Sequence, residues 1–499
     1  PGSRLLSSSS KNSSCTEPPM KKKSVVIIVV AITIAVLGFV INFNPASLVA
    51  SRQQANDDLI AEKMSAHIGV MAYLYGFPLV DMHRQMHNET HRHSEDQQVL
   101  APVNRLYRFP HLVTPQTAGN FRAPNNDTLY YTGWFDISEE PLIIHTPDTA
   151  GRYFTIAITN QFSEVIHIGR RTTGTQQQYF ALIAPGWEGE LPGGVKPIQL
   201  ATPQGWLLGR MLVDGEADFA AAKSLVDDIW LARMSEFKPG KRPQLPPTPP
   251  GEEMPPLDSL AFFQVMNASL KNLPQRPGEA ALMAQFDAIG VGPNADFDPA
   301  QLDEPTRAGL LRAIEEGQRI VEAATARTIP DFNGWMISKE IGRYGFNYMH
   351  RAAVVAGGYG NLPEESLYPA TVFDASGNLL SGGKRYRLHF PAGQLPPVNG
   401  FWSLSVYNLD ENFSLAENPS QRYSIGDRSS GIKYNEDGSL TIYLQHEEAP
   451  DDSNWLPTPA ANFMAVMRLY ERSTAALDNS YLLPRFEEIT YLAYPRRPA

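Results

Sequence analysis

The sequence predicts a mainly β protein with α segments: two tandem β domains, with N-terminal helices ahead of them and a helical insert between them. Three observations carry this. Forty-one prolines and thirty-seven glycines, with only 19% charged residues, suit a loop-rich β architecture better than a helical bundle. Two regions alternate apolar and polar residues with period two, the mark of half-buried strands. Those two regions also repeat each other in a series of short matches. At 499 residues the chain can hold roughly two to four domains with real cores.

Residues 1–19, PGSRLLSSSSKNSSCTEPP, are Ser-rich and patternless, and read as upstream or non-native leader sequence. They hold Cys15, the single cysteine, so the rest of the chain offers no disulfide, thiolate nucleophile or cysteine metal ligand. In residues 20–50 three lysines precede about twenty nearly uncharged apolar residues, Ser24 to Phe43, which read as a signal peptide or an N-terminal membrane anchor. With the positive flank kept in the cytoplasm, the body is expected outside it: periplasmic, anchored in the inner membrane facing the periplasm, or secreted.

Residues 51–98 read as a helical lead-in, with Leu59, Ile60, Met64, Ile68 and Met71 at three- and four-residue steps. Residues 99–236 read as the first β domain. There GRYFTIAITN sets Phe154, Ile156 and Ile158 against Tyr153, Thr155 and Thr159, and a closing helix starts near 215. Residues 237–256 carry eight prolines and read as a linker. Residues 257–330 read as the helical insert. Residues 331–499 read as the second β domain, where Leu440, Ile442 and Leu444 alternate with Thr441, Tyr443 and Gln445.

The repeat rests on four ordered matches: FTIAITN with WSLSVYN, IGRRTTG with IGDRSSG, Arg210 in WLLGRMLV with Arg468 in MAVMRLYE, and HTP at 145 with HFP at 389. Residues present in both copies (Arg171 and Arg428, Arg210 and Arg468, Asn160 and Asn408) are expected to serve the shared fold, forming turns or pinning carbonyls. Residues present in one copy, including the NNDT at 125–128, Asp427, Asn454 and Trp455, are the better functional candidates.

Residues 1–50 hold five basic residues and one acid, so of the 42 Lys and Arg and 53 Asp and Glu the remainder keeps 37 and 52, a net −15. Such a surface repels phosphate backbones and anionic headgroups, which argues against nucleic acid as a partner and leaves membrane contact to the N-terminal segment. No phosphate loop, G-x-S-x-G elbow or H-E-x-x-H pair occurs, so no cofactor is expected and familiar serine or zinc hydrolases are disfavoured.

The stretch PNNDTLYYTGWFD, residues 124–136, reads first as a capped strand entrance, with Asn125 and Asp127 as turn formers. A site can be built on it: Asp127 with Arg122 and His111 as an acid–base constellation, the arginine holding the aspartate ionised and the histidine shuttling the proton. Asn125 and Asp427, with Trp134, Trp402, Tyr407 and Trp455, are candidates for holding a sugar ring or another flat ligand, although such aromatics more often belong to cores. MHRQMHNETHRH puts His83, His87 and His91 on one helical face. They are weak metal candidates, and an exposed polar helix end is the plainer reading, so no metal is expected.

Taken together, AYLYGFPLVDM, FRAPNNDTLYYTGWFDIS and EPLIIHTPDTAGRYFTIAITN resemble the bacterial domain of unknown function 1254. FWSLSVYN, NPSQRYSIGDRSSG and NWLPTPAANFMAVMRLY resemble its companion, domain of unknown function 1214. The likeness spans about residues 68 to 485. It implies an exported protein with two jelly-roll-like β-sandwich domains and a helical insert, and brings no established reaction with it. The expectation is an exported enzyme, leaning to a hydrolase or lyase of a small-molecule, ester or glycan substrate. The alternative is a non-catalytic glycan- or ligand-binding or assembly protein of the cell envelope, with a homo-oligomer as one form it can take.

Overall fold

The computed structural model describes residues 45–92, 100–118, 123–244, 246–251, 254, 258–326, 331–409, 413–449, 454–477 and 480–489. Residues 62–499 form one compact unit. The leader with Cys15 and the apolar run Ser24–Phe43 lie outside the described residues, among which no helix is long and apolar enough to cross a membrane.

The lead-in is a helix, Pro45–Thr90. From Ala72 onward it buries Tyr73, Tyr75, Leu79 and Val80 against the insert helices Ala261–Lys271, Ala280–Asp287 and Glu304–Thr325 and the later helix Tyr348–Ala356. Tyr73 stacks on Phe262 at 4.3 Å, and Gly317 lies where a Cβ would meet the Tyr73 ring at 2.3 Å. The spacing gave a helix correctly but not its buried face: Leu59, Ile60, Met64 and Met71 are exposed. The stretch GVMAYLYGF is apolar nearly all round, so its partners decide which side is covered.

The first β domain contains β1 (Tyr107–Arg108), β2 (Thr128–Asp136), β3 (Leu142–Thr146), β4 (Phe154–Asn160), β5 (Val165–Gly169), β6 (Gln178–Ile183), β7 (Val195–Gln199), β8 (Gln204–Leu212) and β9 (Trp230–Arg233). They form two facing sheets, ordered β1-β2-β8-β4-β5 and β7-β6-β3-β9. Between them lie Phe154, Ile156 and Ile158, the face the alternation marks as apolar.

The second contains β10 (Asp331–Phe332), β11 (Trp335–Met336), β12 (Ser366–Leu367), β13 (Ala370–Thr371), β14 (Tyr386–Phe390), β15 (Trp402–Asn408), β16 (Ser424–Gly426), β17 (Leu440–Gln445), β18 (Trp455–Pro457), β19 (Phe463–Tyr470) and β20 (Glu487–Glu488). Its sheets run β10-β11-β13-β19-β15-β16, with β12 also on β19, and β18-β17-β14-β20. Trp402, Leu404 and Val406 of β15 meet Leu440, Ile442 and Leu444 of β17 in its core. The chain is therefore mainly β with α, two jelly-roll-like sandwiches with N-terminal and inserted helices.

The pairings show that the repeat is structural. Thr155 of β4 faces Arg210 of β8 and Gly169 of β5; Ser403 of β15 faces Arg468 of β19 and Gly426 of β16. His145 faces Tyr179 across β3 and β6 as His389 faces Thr441 across β14 and β17, and each inner pair continues in a parallel partner. The entrances match too: Val213 N donates to Asp127 O at 3.0 Å, and Glu471 N to Glu365 O at 2.8 Å. Asp127, which looks unique in the sequence, thus has Glu365 as its counterpart.

Gly209 of β8 sits opposite both Tyr131 and Ile156, and a Cβ there would fall 1.9 Å from the buried Tyr131 ring. Gly209→Ala should lower stability by about 1–3 kcal/mol through overpacking. Urea unfolding checks this as a lower midpoint at unchanged slope.

Candidate functional site

Asn125 caps the entrance to β2: its Oδ1 accepts from Asp127 N at 3.1 Å, Thr128 N at 3.0 Å and Thr128 Oγ1 at 2.9 Å. This is the capped strand the residue types imply. The turn sends Asp127 across to the other sandwich, where Oδ2 accepts from Ser403 Oγ at 2.6 Å and Oδ1 from Ser424 Oγ at 3.2 Å. Asp127 forms part of the wall of a cleft of about 630 Å³ with His111, Phe219, Trp402, Tyr423 and Arg428. His111 stacks over Phe219 at 6.5 Å. Asp427, between the lining residues Gly426 and Arg428, accepts from Trp402 N at 3.3 Å and lies 3.8 Å from Arg428 Nε. Burial pushes its carboxyl up to about 6, with Arg428 pulling the other way and Asp127 adding to the rise.

The two copies explain why the cleft exists. In the first, the helix Arg170–Thr173 after β5 bolts the domains together: Arg170 pairs with Glu471 at 2.5 Å, Arg171 with Glu365 at 2.7 Å, and Tyr153 OH donates to Glu365 at 2.9 Å. In the second, the equivalent positions hold Asp427 for Arg170, Val213 for Glu471, Arg428 for Arg171, Asp127 for Glu365 and Phe401 for Tyr153. One ion pair is gone. The other has opened: Arg428 lies 4.1 Å over the Phe401 ring and 3.6 Å from Asp214, while Asp127 takes serine hydroxyls.

Asn160 and Asn408 do shape turns, Asn160 accepting from Phe162 N and Glu164 N and Asn408 donating to Ser414 Oγ. Arg171 and Arg428 do not pin carbonyls of their own turns. In the first turn hydroxyls serve the carbonyls, Thr172 Oγ1 donating to His167 O at 2.9 Å and Thr173 Oγ1 to Gly169 O at 3.2 Å, and in both copies the guanidinium reaches outward, Arg171 to Glu365 and Arg428 over Phe401.

The other shared arginines lie in a second hollow. The outer faces of β8 and β19 turn toward each other, and Arg210 and Arg468 line one cavity of about 300 Å³ with Tyr130, Tyr359, Tyr368 and Trp206. Arg210 Nη1 donates to Asn361 Oδ1 at 3.2 Å; Arg468 Nη2 donates to Ala123 O at 2.7 Å and to Tyr407 OH. Each arginine thus reaches into the partner sandwich's entry loop. The strand pattern held a signal for this. The outward positions Trp206, Leu208 and Arg210, like Met464, Val466 and Arg468, are mostly apolar, as in a sheet covered on both faces.

Arg122 lies outside the described residues. Trp134 is buried, its Nε1 donating to Glu89 Oε2 at 2.6 Å, so it ties the sheet to the lead-in helix. Tyr407 is buried with its hydroxyl on Pro124 O at 2.6 Å. Trp455 belongs to β18 and donates to Gln445 O at 3.0 Å. These three do not share a groove with Trp402, because each indole or phenol is spent on a backbone or carboxylate partner elsewhere. Burial raises the Glu89 carboxyl against the Trp134 hydrogen bond. His87 and His91 stack at 4.5 Å, and burial, then His87, lowers the proton affinity of His83. Among the described residues no three His, Cys, Asp or Glu gather as metal ligands.

Residues 103–233 match the family described as "Protein of unknown function (DUF1254)" and residues 365–474 the one described as "Protein of unknown function (DUF1214)". The chain carries both domains, in that order. Among solved structures it is similar to the VPA0106 protein of Vibrio parahaemolyticus, at 25% identity and a TM-score of 0.65, over 85% of this chain and all of that one. An uncharacterized protein of Burkholderia cenocepacia aligns at 13% identity and a TM-score of 0.41, over 90% of this chain and all of that one. No curated protein matches. The DUF1254 match ends at β9 and the DUF1214 match begins at Glu365, so each repeat of the duplication falls in its own domain.

The unequal junctions predict unequal mutants. Arg171→Ala strands the nearly inaccessible Glu365 carboxylate and should cost about 2 kcal/mol, below the roughly 3–5 of a fully buried pair because Arg171 is 30% exposed. Arg428→Ala should cost less than about 1 kcal/mol. Urea unfolding of the two variants reads the difference.

Proposed function

We propose that the chain is an exported acid–base hydrolase whose cleft takes a polyhydroxylated substrate, a glycan in the first instance. One observation carries the reading: Asp127 lines a cleft beside the opened domain junction, and Asp427, a carboxyl whose pKa is raised by burial and by the charge of Asp127, stands between two residues of the same wall, Gly426 and Arg428. Asp427, whose carboxyl keeps its proton up to about pH 6, serves as general acid and hands that proton to the leaving oxygen. Asp127, fixed by Ser403 and Ser424 with lone pairs to spare, takes a proton from the attacking water. One water is consumed, and its proton replaces the one that Asp427 gave. Arg428, Asn126, Gln421 and Ser430 supply donors and acceptors for hydroxyl groups, and Phe219, Trp402 and Tyr423 supply apolar surface. The lysine-flanked apolar run before residue 50 supports an exported setting.

A panel of chromogenic glycosides, with simple esters beside it, tests this. Turnover should fall as pH rises through about 6, as Asp427 loses its proton, and Asp427→Asn should abolish both that limb and most of the rate. Asp127→Asn should reduce kcat by about 100-fold or more. Binding lost in both variants without any wild-type turnover would make the cleft a recognition site and not a catalytic one.

Asp427 also gives a stability test. Its folded pKa lies above its ordinary value, so its contribution is fully present at low pH and is lost as pH rises from about 4 to about 6. Thermal denaturation across that window should slope downward in the wild type relative to Asp427→Asn.

A further inference from the structure

The cavity between β8 and β19 poses a separate problem in charge balance. Arg210 and Arg468 are 9% and 2% exposed, and a guanidinium stays protonated in proteins. Neither forms an ion pair with any described carboxylate, and Arg210 Nε and Arg468 Nη1 are buried without a hydrogen-bond partner. The surrounding phenols do not neutralise them. Burial holds Tyr153 and Tyr470 far above the ordinary phenol range and Tyr407 up to about 12, so these hydroxyls are uncharged at neutral pH. Arg468 feels the Asp127 carboxylate only at a distance, without an ion pair, and no carboxylate acts on Arg210 among its main influences, so two desolvated cations lack a partner in contact and each unused N–H is a donor awaiting an acceptor.

The hollow has the size and lining of a ligand site. Its 300 Å³ corresponds to about ten waters at roughly 30 Å³ each. Leu208, Val466, Met464, Ala157 and Ala370 line it together with Trp206 and tyrosine rings, which suits an organic body better than a bare inorganic ion. Ala123, Gly357 and Met464 are shared with an adjoining open hollow of about 1430 Å³, which supplies an approach. The two arginines stand at matching positions of the two repeats, one on each wall, so the cavity presents a guanidinium from each sandwich.

We infer that this cavity is a binding site for a small organic dicarboxylate, held with one carboxylate on Arg210 and the other on Arg468. Planar guanidinium forks match carboxylates in geometry and charge, and the aromatic and aliphatic wall covers the carbon skeleton between them. The site is distinct from the Asp127–Asp427 cleft and does not depend on the reaction proposed there.

The test is thermal unfolding and calorimetry of the full chain with succinate, glutarate and phthalate, against acetate, inorganic phosphate and chloride at matched ionic strength. A dicarboxylate should stabilise the protein saturably, acetate and chloride should not, and phosphate should do so at least tenfold more weakly. Arg210→Gln and Arg468→Gln should each weaken the dicarboxylate at least tenfold, measured as the shift in unfolding temperature relative to each variant's own ligand-free value. Arg428→Gln, in the other cleft, should bind the dicarboxylate like the wild type. The inference is overturned if no dicarboxylate acts beyond chloride, if phosphate acts as strongly, or if the effect survives in the Arg210→Gln/Arg468→Gln double variant. Should the variants fail to fold, the wild type decides alone: a crystal grown with the dicarboxylate must show it between the two guanidiniums, and density elsewhere overturns the assignment.

Discussion

The structure depends on an exchange of polar side chains between its two sandwiches. Glu365, at the entrance of β12, is held by Tyr153 and Arg171 of the first domain; Asp127, at the entrance of β2, is held by Ser403 and Ser424 of the second. Each entry loop thus hands a carboxylate to its neighbour, and Arg210 and Arg468 return the reach in the opposite direction. The apolar contact beneath them, Tyr130 and Leu208 with Tyr407 and Val466, is non-directional, whereas these charged ties fix how the sheets meet.

Duplication supplies the symmetry, and substitution breaks it. Replacing an arginine by Asp427 and a glutamate by Val213 removes one ion pair. It also leaves a carboxyl group, Asp427, partly desolvated with its nearest cation at 3.8 Å. The perturbed acid therefore stands at the position where the other copy carries a paired arginine, beside the cleft. The cleft and the tightly bolted junction opposite are the two forms that one contact takes in the two copies.

Much of this was legible in the sequence. The alternation of Phe154, Ile156 and Ile158 and of Leu440, Ile442 and Leu444 gave strands whose apolar faces are core, and IGRRTTG with IGDRSSG located corresponding turns. Asn125 as a cap followed from residue type alone. Glu365 was hidden as the counterpart of Asp127 because NNDT and PEES share only an acid followed by a hydroxyl residue, Asp127-Thr128 and Glu365-Ser366, too short a pattern to stand out. The shared arginines do serve the joint between the copies, Arg468 holding Ala123 O and Arg171 holding Glu365, but their partners lie in the other sandwich and not in their own turns. Identity between copies says that a position matters but not which way its side chain points, and in a strand that depends on a phase of one residue. The helix that precedes the sandwiches shows the same limit, since its spacing fixed its form and its neighbours chose its buried side.

The uneven junctions give the pair of sandwiches a mechanical polarity. On one side two short ion pairs and a phenol brace the seam; on the other the seam is carried by two serine hydroxyls on a single carboxylate and a longer Arg428–Asp214 contact at 3.6 Å. A load that prises the domains apart meets stiffness along the first edge and compliance along the second, so the seam flexes like a book held at its spine. The free edge of that book is where Asp127 and Arg428 line the cleft, with Asp427 beside Arg428, so any opening of the seam would act first on these groups.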